Sequence, residues 1–193
     1  PEMLEVWDEQ LIRYGEPIYE ERVRFVNELL PVFNEFHSHV SGDREQVSLN
    51  YQASLQESGF REGLQASLEK DRIIQYTTFG IHKDDLGMTL SGYPIKRIGS
   101  QGQQKTFLVA LKLAKFDFIR RVNGFHPILL LDDVFDKFDA NRVKQIIRLV
   151  ANHEFGQIFI TDTNSERIKN ILIELATDYK LFHVGLNGVN EQS

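Results

Sequence analysis

Residues 128–133 read ILLLDD, and this stretch decides the fold. Its run of apolar residues is typical of a strand buried in a sheet, and two aspartates follow where that strand would end. Open α/β sheets hold their ligands at the carboxyl ends of their strands. Adjacent ionised carboxylates repel one another, so this pair indicates a role in binding or chemistry. The alternative interpretation is an ordinary strand followed by an acidic turn.

The segments after this stretch alternate in type. A helical pattern at 140–152 precedes an apolar strand pattern at 156–163, and a second helical pattern at 165–177, with Ser165 as its N-cap, precedes a strand pattern at 179–185. Unbroken apolar strands that alternate with helices favour a parallel sheet covered on both faces. We therefore predict an α/β body in which parallel strands are covered by helices.

The N-terminal part of the chain has a different pattern. Apolar residues recur at helical spacing through residues 4–37, which predicts a long helix that lies along another helix. We expect Pro17 and Pro31 to kink or divide it, because each removes a backbone donor. No equally long helix follows, so we expect its partner to lie outside the chain. The sequence thus predicts a helical arm segment at 1–45, half of a helical hairpin, and a body at 46–193.

The segments between the arm and ILLLDD have clear local signals. Alternation at 47–55 predicts a strand, residues 59–75 predict a helix, and residues 86–96 predict a hairpin with its turn at the Ser-Gly pair. Ser100 is a candidate N-cap for a helix that runs to about Val122.

Composition excludes several classes of protein. The formal net charge is -6, so any nucleic-acid surface would have to be local. The absence of cysteine excludes disulfides and cysteine-ligated metals and is consistent with a cytoplasmic protein. No apolar run approaches the roughly 20 residues that cross a bilayer, so we expect no membrane association. The chain begins with Pro1 rather than methionine, which we interpret as the sign of a fragment.

A second motif, GSQGQQKT at 99–106, resembles a phosphate-binding loop in its glycines, lysine and threonine. A Walker A loop reads G-x-x-x-x-G-K-[ST], so that consecutive backbone N–H groups wrap the phosphates. Here Lys105 follows Gln104, and no Gly-Lys dipeptide occurs in the sequence. The motif is therefore not a Walker A loop, and the acidic strand lacks its own phosphate loop in this chain.

Taken in order, three stretches resemble the RecF family, a branch of the SMC-like, ABC-type ATPases. They are FGIHKDDL at 79–86, GSQGQQKTFLVALKLAK at 99–115 and ILLLDDVFDKFD at 128–139, and they are similar to the C-terminal half of that family. WDEQL at 7–11 is similar to the segment where the family's helical arm returns to the head. The resemblance implies the C-terminal lobe of an ATPase head that carries the signature motif and Walker B, plus an arm segment.

The resemblance also implies a function. RecF proteins bind ATP with Mg²⁺, form a homodimer that sandwiches two nucleotides, and hydrolyse ATP slowly. They bind DNA when ATP is present and work with RecO and RecR to direct the recombinase onto single-stranded gaps or junctions in recombinational repair and replication restart. We expect this segment alone neither to bind ATP tightly nor to hydrolyse it, because the Walker A half is absent.

Carried over position by position, the resemblance assigns roles near the strand ends. Asp132 would be the Walker B aspartate that holds Mg²⁺ through water, and Asp133 the catalytic carboxylate. Asp139 would be the acidic end of the D-loop, in which Phe135 departs from the small residue expected. A switch histidine is not supported at 161–163, which read Thr-Asp-Thr.

The same resemblance makes the start of the Ser100 helix the signature loop. It would comprise Ser100, Gln101, Gly102 and Gln103, with Gln101 in place of a glycine, and would contact the γ-phosphate held by the opposite protomer. A hydroxyl at a helix N-terminus favours an anion, and Lys105 adds positive charge for the phosphate or for DNA. The alternative is that Ser100 is only a helix cap.

Basic residues concentrate on this helix, which makes it a candidate for DNA contact. The candidates are Lys112, Lys115, Arg120 and Arg121. An ordinary solvated helix face is the alternative interpretation. The IHKDDL stretch could equally be a solvated turn, and His82 has no convincing second ligand for a metal. For the whole chain, a non-catalytic interaction module and the head of another SMC-like ATPase remain open alternatives.

Overall fold

The computed structural model describes residues 2–43, 45–133, 135, 138–152, 155–186 and 188–192. The helices are α1 (Glu2–Ser41), α2 (Phe60–Ile74), α3 (Ile95–Ile98), α4 (Gln101–Asn123), α5 (Ala140–Asn152) and α6 (Ser165–Glu174). The strands are β1 (Val47–Gln52), β2 (Asp85–Leu90), β3 (Tyr93–Pro94), β4 (Leu129–Asp132), β5 (Ile158–Thr161), β6 (Leu181–Gly185) and β7 (Gly188–Gln192). The fold is α/β with an N-terminal helical arm, as the sequence predicts. None of the helices in these ranges combines the length and apolarity needed to cross a bilayer.

The arm is one continuous helix. Pro17 and Pro31 both lie inside α1, so of the two predicted outcomes, a kink or a division, the division does not occur. A proline removes only one backbone hydrogen bond, and the helix is held by packing on both sides of these positions. Gly15 of α1 lies against the ring of Phe60 in α2, where a Cβ would stand 2.3 Å from a ring carbon. A glycine at this position therefore permits the close approach of the two helices.

The C-terminal part of α1 has its partner within the chain. It packs against α4 and α5, and the ring of Phe33 contacts that of Phe107 of α4 in a tilted arrangement with centroids 4.6 Å apart. Both rings are fully buried. The expectation that the partner lies outside the chain is therefore wrong for this part, because α4 covers it. Near the other end, by contrast, Trp7 and Tyr14 are 60% and 61% exposed.

The first sheet is antiparallel, in the order β1, β2, β3. Val47 of β1 pairs with Leu90 of β2, and a two-residue turn then returns the chain into β3. Ser91 and Gly92 both have positive φ, 50° and 83°, which matches the type I′ turn that suits a tight hairpin. The predicted strand, hairpin and turn are confirmed.

The second sheet contains two parallel strands, β4 and β5. The prediction of a third parallel strand at 179–185 is wrong, because β6 pairs antiparallel with β7 instead. This hairpin closes within a few residues, with Gly188 at a φ of 115°. The pairing of β6 with β7 therefore costs little loop-closure entropy. Its apolar residues are largely exposed, Val184 at 75%.

Among the described residues, only one face of the parallel sheet is covered. Leu129 and Leu131 of β4 are buried in the same core as α4 and α5, whereas Leu130 between them is 66% exposed. Its partner across the ladder, Phe159 of β5, is 49% exposed. Because alternate side chains of a strand point to opposite faces, Leu130 and Phe159 lie on the face opposite this core. Within the described residues, the expectation of cover on both faces is therefore wrong.

Candidate active site

The carboxylate pair lies at the exposed end of β4. Asp132 is the last residue of the strand and stands opposite Thr161, the last residue of β5. The Thr161 hydroxyl donates to Asp132 Oδ1 at 2.6 Å, and the Asp133 N–H donates to the Thr161 Oγ1 at 3.0 Å. One hydroxyl therefore orients the first carboxylate and holds the backbone of the second residue.

Asp133 has a left-handed backbone, with a φ of 45°. This conformation is uncommon outside glycine, although aspartate tolerates it better than most residues. The hydrogen bond from its N–H to Thr161 helps to hold this geometry. Such residues concentrate at functional sites, which agrees with the role expected for Asp133.

The residues at this strand end fit a magnesium ion that is shared with a phosphate. Asp132 offers an exposed carboxylate, and Mg²⁺ typically takes one or two carboxylates together with substrate phosphates and water. In the part of the chain that the structure describes, no cluster of three histidine or acidic side chains could hold a metal by itself. His82 makes a 2.8 Å contact through Nε2 with the Thr77 carbonyl.

Ser100 is the N-cap of α4, as the sequence predicts. Its Oγ accepts from the Gln103 N–H at 3.2 Å, and its own N–H donates to Gln103 Oε1 at 2.9 Å, which forms a capping box. The cap uses the hydroxyl oxygen only as an acceptor. Because a serine hydroxyl also carries one proton, the same group can donate to an anion placed before the helix.

The remaining signature candidates surround this cap. Gln101 is exposed, and Gly102 and Lys105 are half-buried on the first turn of α4. The Gln104 side chain donates to the Gly99 carbonyl at 2.8 Å and so fixes the chain as it enters the helix. The whole predicted loop is therefore one ordered helix start.

Asp139 caps the next helix. Its Oδ1 accepts from the Arg142 N–H at 2.9 Å at the start of α5. Phe135 is fully buried, so the residue that departs from the D-loop pattern belongs to the core. Residues 136 and 137 of the expected D-loop lie outside the described residues.

The IHKDDL stretch is more than a solvated turn. The side chain of Asp84 is 2% exposed and pairs with Arg22 of α1 at 3.1 Å. The Tyr51 hydroxyl of β1 also donates to Asp84. Burial and this hydrogen bond raise the pKa of Tyr51 to about 12. Asp84 therefore anchors the arm to the first sheet, a role that the sequence pattern does not indicate.

The chain is similar to known proteins over nearly its whole length. No protein-family model matches the chain. Over 190 residues it is 50% identical to the DNA replication and repair protein RecF of Bacteroides fragilis, a match that covers 98% of the chain and 51% of the relative. RecF of Bacteroides thetaiotaomicron is 49% identical over 190 residues, and 52% of it is covered. RecF of Flavobacterium johnsoniae is 45% identical over 181 residues, and 50% of it is covered.

The chain corresponds to the C-terminal half of RecF. It spans about half the length of the curated relatives that it matches. Two solved structures of the recombination mediator protein RecF in the RecFOR pathway, RecF-ATPrS and RecF-ATP, superpose on it with a TM-score of 0.76 each. They share 29% and 25% sequence identity with the chain, and each match covers all of the chain and 51% of the solved RecF chain. The predicted resemblance to RecF is confirmed.

Residues 161–163, where ABC-type ATPases often place a switch histidine, differ in their surroundings. Thr161 contacts Asp132, as described above. Asp162 is engaged with Arg167, whose Nη2 donates to it at 2.6 Å. Thr163 is exposed. Thr161 is therefore the candidate closest to the carboxylate pair.

The basic candidates on α4 fall into two groups. Lys112 and Lys115 are exposed. Arg120 and Arg121 both pair with the buried Asp117, at 2.8 and 2.6 Å. Because Asp117 offsets part of their charge, the two lysines are the stronger candidates for contact with DNA phosphates.

Proposed function

We propose that this chain supplies the signature loop and Walker B strand of a RecF-like, DNA-binding ATPase of recombinational repair and replication restart. The observation that carries the proposal is 50% identity to DNA replication and repair protein RecF over 98% of the chain. The contacts at Ser100, Asp132 and Asp133 support the assigned roles, because Ser100 caps the start of α4 and both aspartates are held at the end of β4 by Thr161.

At the strand end, the two carboxylates have separate tasks. Asp132, oriented by Thr161, would hold Mg²⁺. When bound, the ion neutralises phosphate charge that develops during ATP cleavage. Asp133 accepts a proton from the attacking water as general base. The Thr161 contact to the Asp133 backbone keeps this second carboxylate beside the first.

At the start of α4, the chain offers donors for a phosphate. The first N–H groups of a helix have no partner inside it, and the helix dipole adds partial positive charge there. The Ser100 hydroxyl retains a proton to donate, and Lys105 in the first turn adds a full charge. In a symmetric dimer these donors meet the γ-phosphate bound by the opposite protomer, so ATP is sandwiched between two heads.

The rest of the nucleotide site comes from a second half of the protein that carries the Walker A loop. The exposed side chains of Leu130 and Phe159, which are partners across the two strands, support this view, because adjacent apolar residues on an open sheet face can be covered by another element. The segment alone therefore neither binds ATP tightly nor hydrolyses it.

The ATP-bound dimer binds DNA at single-stranded gaps or junctions and works with RecO- and RecR-type mediators to load the recombinase. Lys112 and Lys115 are the proposed phosphate contacts, because they are exposed on one helix whereas Arg120 and Arg121 are paired with Asp117. The solved relatives are recombination mediator proteins of the RecFOR pathway, which supports the assignment.

Asp133→Asn in the full-length protein that contains this segment tests the proposal. The amide cannot act as a base, so we expect ATP turnover to fall by about 100-fold or more while the ATP-bound dimer accumulates. Steady-state phosphate release and light scattering measure the two effects. Asp178→Asn, at an exposed position after α6, is the matched control. Unaltered hydrolysis in Asp133→Asn contradicts the proposed role.

A further inference from the structure

Arg142 of α5 joins three elements through one guanidinium group. Its Nη1 donates to the Thr106 hydroxyl of α4 at 2.6 Å, and its Nη2 donates to Glu45 Oε1 at 2.8 Å. Its Nε lies 3.4 Å from Asp139 Oδ2 at the start of its own helix. Glu45 follows the end of the arm helix. The side chain of Arg142 therefore connects the arm, the signature helix and the D-loop position.

The contact continues from Arg142 into the signature motif itself. The Thr106 hydroxyl donates to the Gly102 carbonyl at 2.9 Å. A Cβ added to Gly102 would lie 3.9 Å from Arg142 Nη1, so the guanidinium lies beside the first turn of α4. Glu45, Arg142, Thr106 and Gly102 therefore form a continuous hydrogen-bonded chain, in which each bond polarises the next.

The environment makes this chain sensitive to geometry. Thr106 is fully buried, and the side chains of Glu45 and Arg142 are 7% and 22% exposed. His37 of the arm faces Glu45 from the other side, with Nε2 and Oε2 3.5 Å apart. Removing one partner from a buried charged pair leaves the other without compensation, so the pair responds strongly to small displacements.

We infer that Arg142 is a positioning residue that couples the end of the helical arm to the signature loop. The inference rests on the proposed function of that loop. When Glu45 holds the guanidinium, Arg142 fixes Thr106 and, through it, the Gly102 carbonyl in the first turn of α4. Displacement of the arm end withdraws Glu45 and loosens the loop that meets the opposite protomer's phosphate. Because the coupling is reciprocal, phosphate engagement also stabilises one position of the arm.

The first test is Arg142→Lys in the full-length protein. Lysine keeps the charge but cannot reach Thr106, Glu45 and Asp139 at once with a planar fork. We expect the ATP concentration for half-maximal dimerisation to rise about 5- to 10-fold, with turnover per assembled dimer little changed. Arg148→Lys, at an exposed position on the same helix, is the matched control and should dimerise as the unsubstituted protein does.

A double-mutant cycle separates coupling from simple support of the fold. Glu45→Ala and Thr106→Val each remove one of the two side chains that Arg142 connects. We expect their effects on ATP-dependent dimerisation to be non-additive by about threefold or more, and to become additive in the Arg142→Lys background. Additive effects with Arg142 intact overturn the inference.

The outcomes also distinguish this inference from the proposed function. If Asp133→Asn stops turnover but Arg142→Lys dimerises like the Arg148→Lys control, the inference fails and the proposed function stands. A full-length protein that does not dimerise with ATP overturns both. A lower melting temperature of Arg142→Lys with unchanged ATP dependence shows a purely structural role and also overturns the inference.

Discussion

The two segments proposed to meet the nucleotide, the start of α4 and the end of β4, are organised differently. At the start of α4, Ser100 and Gln103 cap one another three residues apart. At the end of β4, Asp132 and Asp133 depend on Thr161, which lies 28 residues beyond Asp133 in the chain. The start of α4 at Ser100, here called the signature side, is thus held by local contacts. The end of β4 at Asp132 and Asp133, here called the acidic side, is held by the register of two strands.

This difference predicts that the signature side can be altered without loss of its structure. Ser100→Asp keeps an equally good N-cap, so we expect the stability of the protein to change by less than about 0.5 kcal/mol. The substitution replaces a hydroxyl donor with a negative charge that repels phosphate, so ATP-dependent dimerisation should weaken by about 100-fold or more. Chemical denaturation and light scattering give the two values.

Ser100→Asn provides the companion to this variant, because it keeps the cap without adding charge. We expect ATP-dependent dimerisation to weaken less in Ser100→Asn than in Ser100→Asp. Normal ATP-dependent dimerisation of Ser100→Asp would show that Ser100 is only a helix cap.

The function of the acidic side should depend on a residue far from it in sequence, Thr161. Thr161→Val removes the hydroxyl that orients Asp132 and supports Asp133, so we expect turnover and apparent Mg²⁺ affinity to fall about 10-fold. Thr161→Ser restores the hydroxyl and should recover most of the loss. A magnesium titration of ATP hydrolysis measures both.

Thr163→Val is the control for this experiment, since Thr163 is exposed two residues further on. Equal effects of Thr161→Val and Thr163→Val would show that the contact with Asp132 has no part in the activity.

The smallest expected effect is a dependence of stability on pH at the arm end that supports α4. Burial lowers the pKa of His37, Glu45 opposes this shift, and Arg142 adds to it. The folded state therefore binds fewer protons than the unfolded state, in which the pKa is about 6.5. Stability should fall as the pH drops below about 6.5 and remain constant above it. His37→Gln should flatten this decline, as measured by denaturation at pH 7.5 and 5.5. A decline of the same size in His37→Gln would assign it to other groups.

The contrast between the two segments also explains what the sequence could predict. The Ser100 cap and the Ser91-Gly92 turn were predictable because neighbouring residues determine them. The roles of Thr161 and Arg142 depend on strand register and helix packing, which a local pattern does not contain.

The same reason accounts for the wrong predictions in the fold. Residues 179–185 have an apolar strand pattern, but pattern alone does not choose between a parallel neighbour and the adjacent hairpin strand β7. The arm pattern predicted a partner helix without indicating that α4 supplies it. At the start of α6 the cap is Asn164 rather than Ser165, a shift of one residue between two good capping residues.

The central claim is that the signature loop of one protomer completes the ATP site of the other. Mixing full-length Ser100→Asp and Asp133→Asn proteins before ATP is added tests it most directly. In a symmetric sandwich each mixed dimer contains one intact site, because at that site one protomer supplies an unsubstituted Asp133 and the other supplies an unsubstituted Ser100. With random pairing, an equal mixture would recover about a quarter of the unsubstituted turnover, and the weaker dimerisation of Ser100→Asp makes this value an upper limit. Each variant alone should retain about 1% or less of that turnover. A mixture that stays as inactive as its components would contradict the claim.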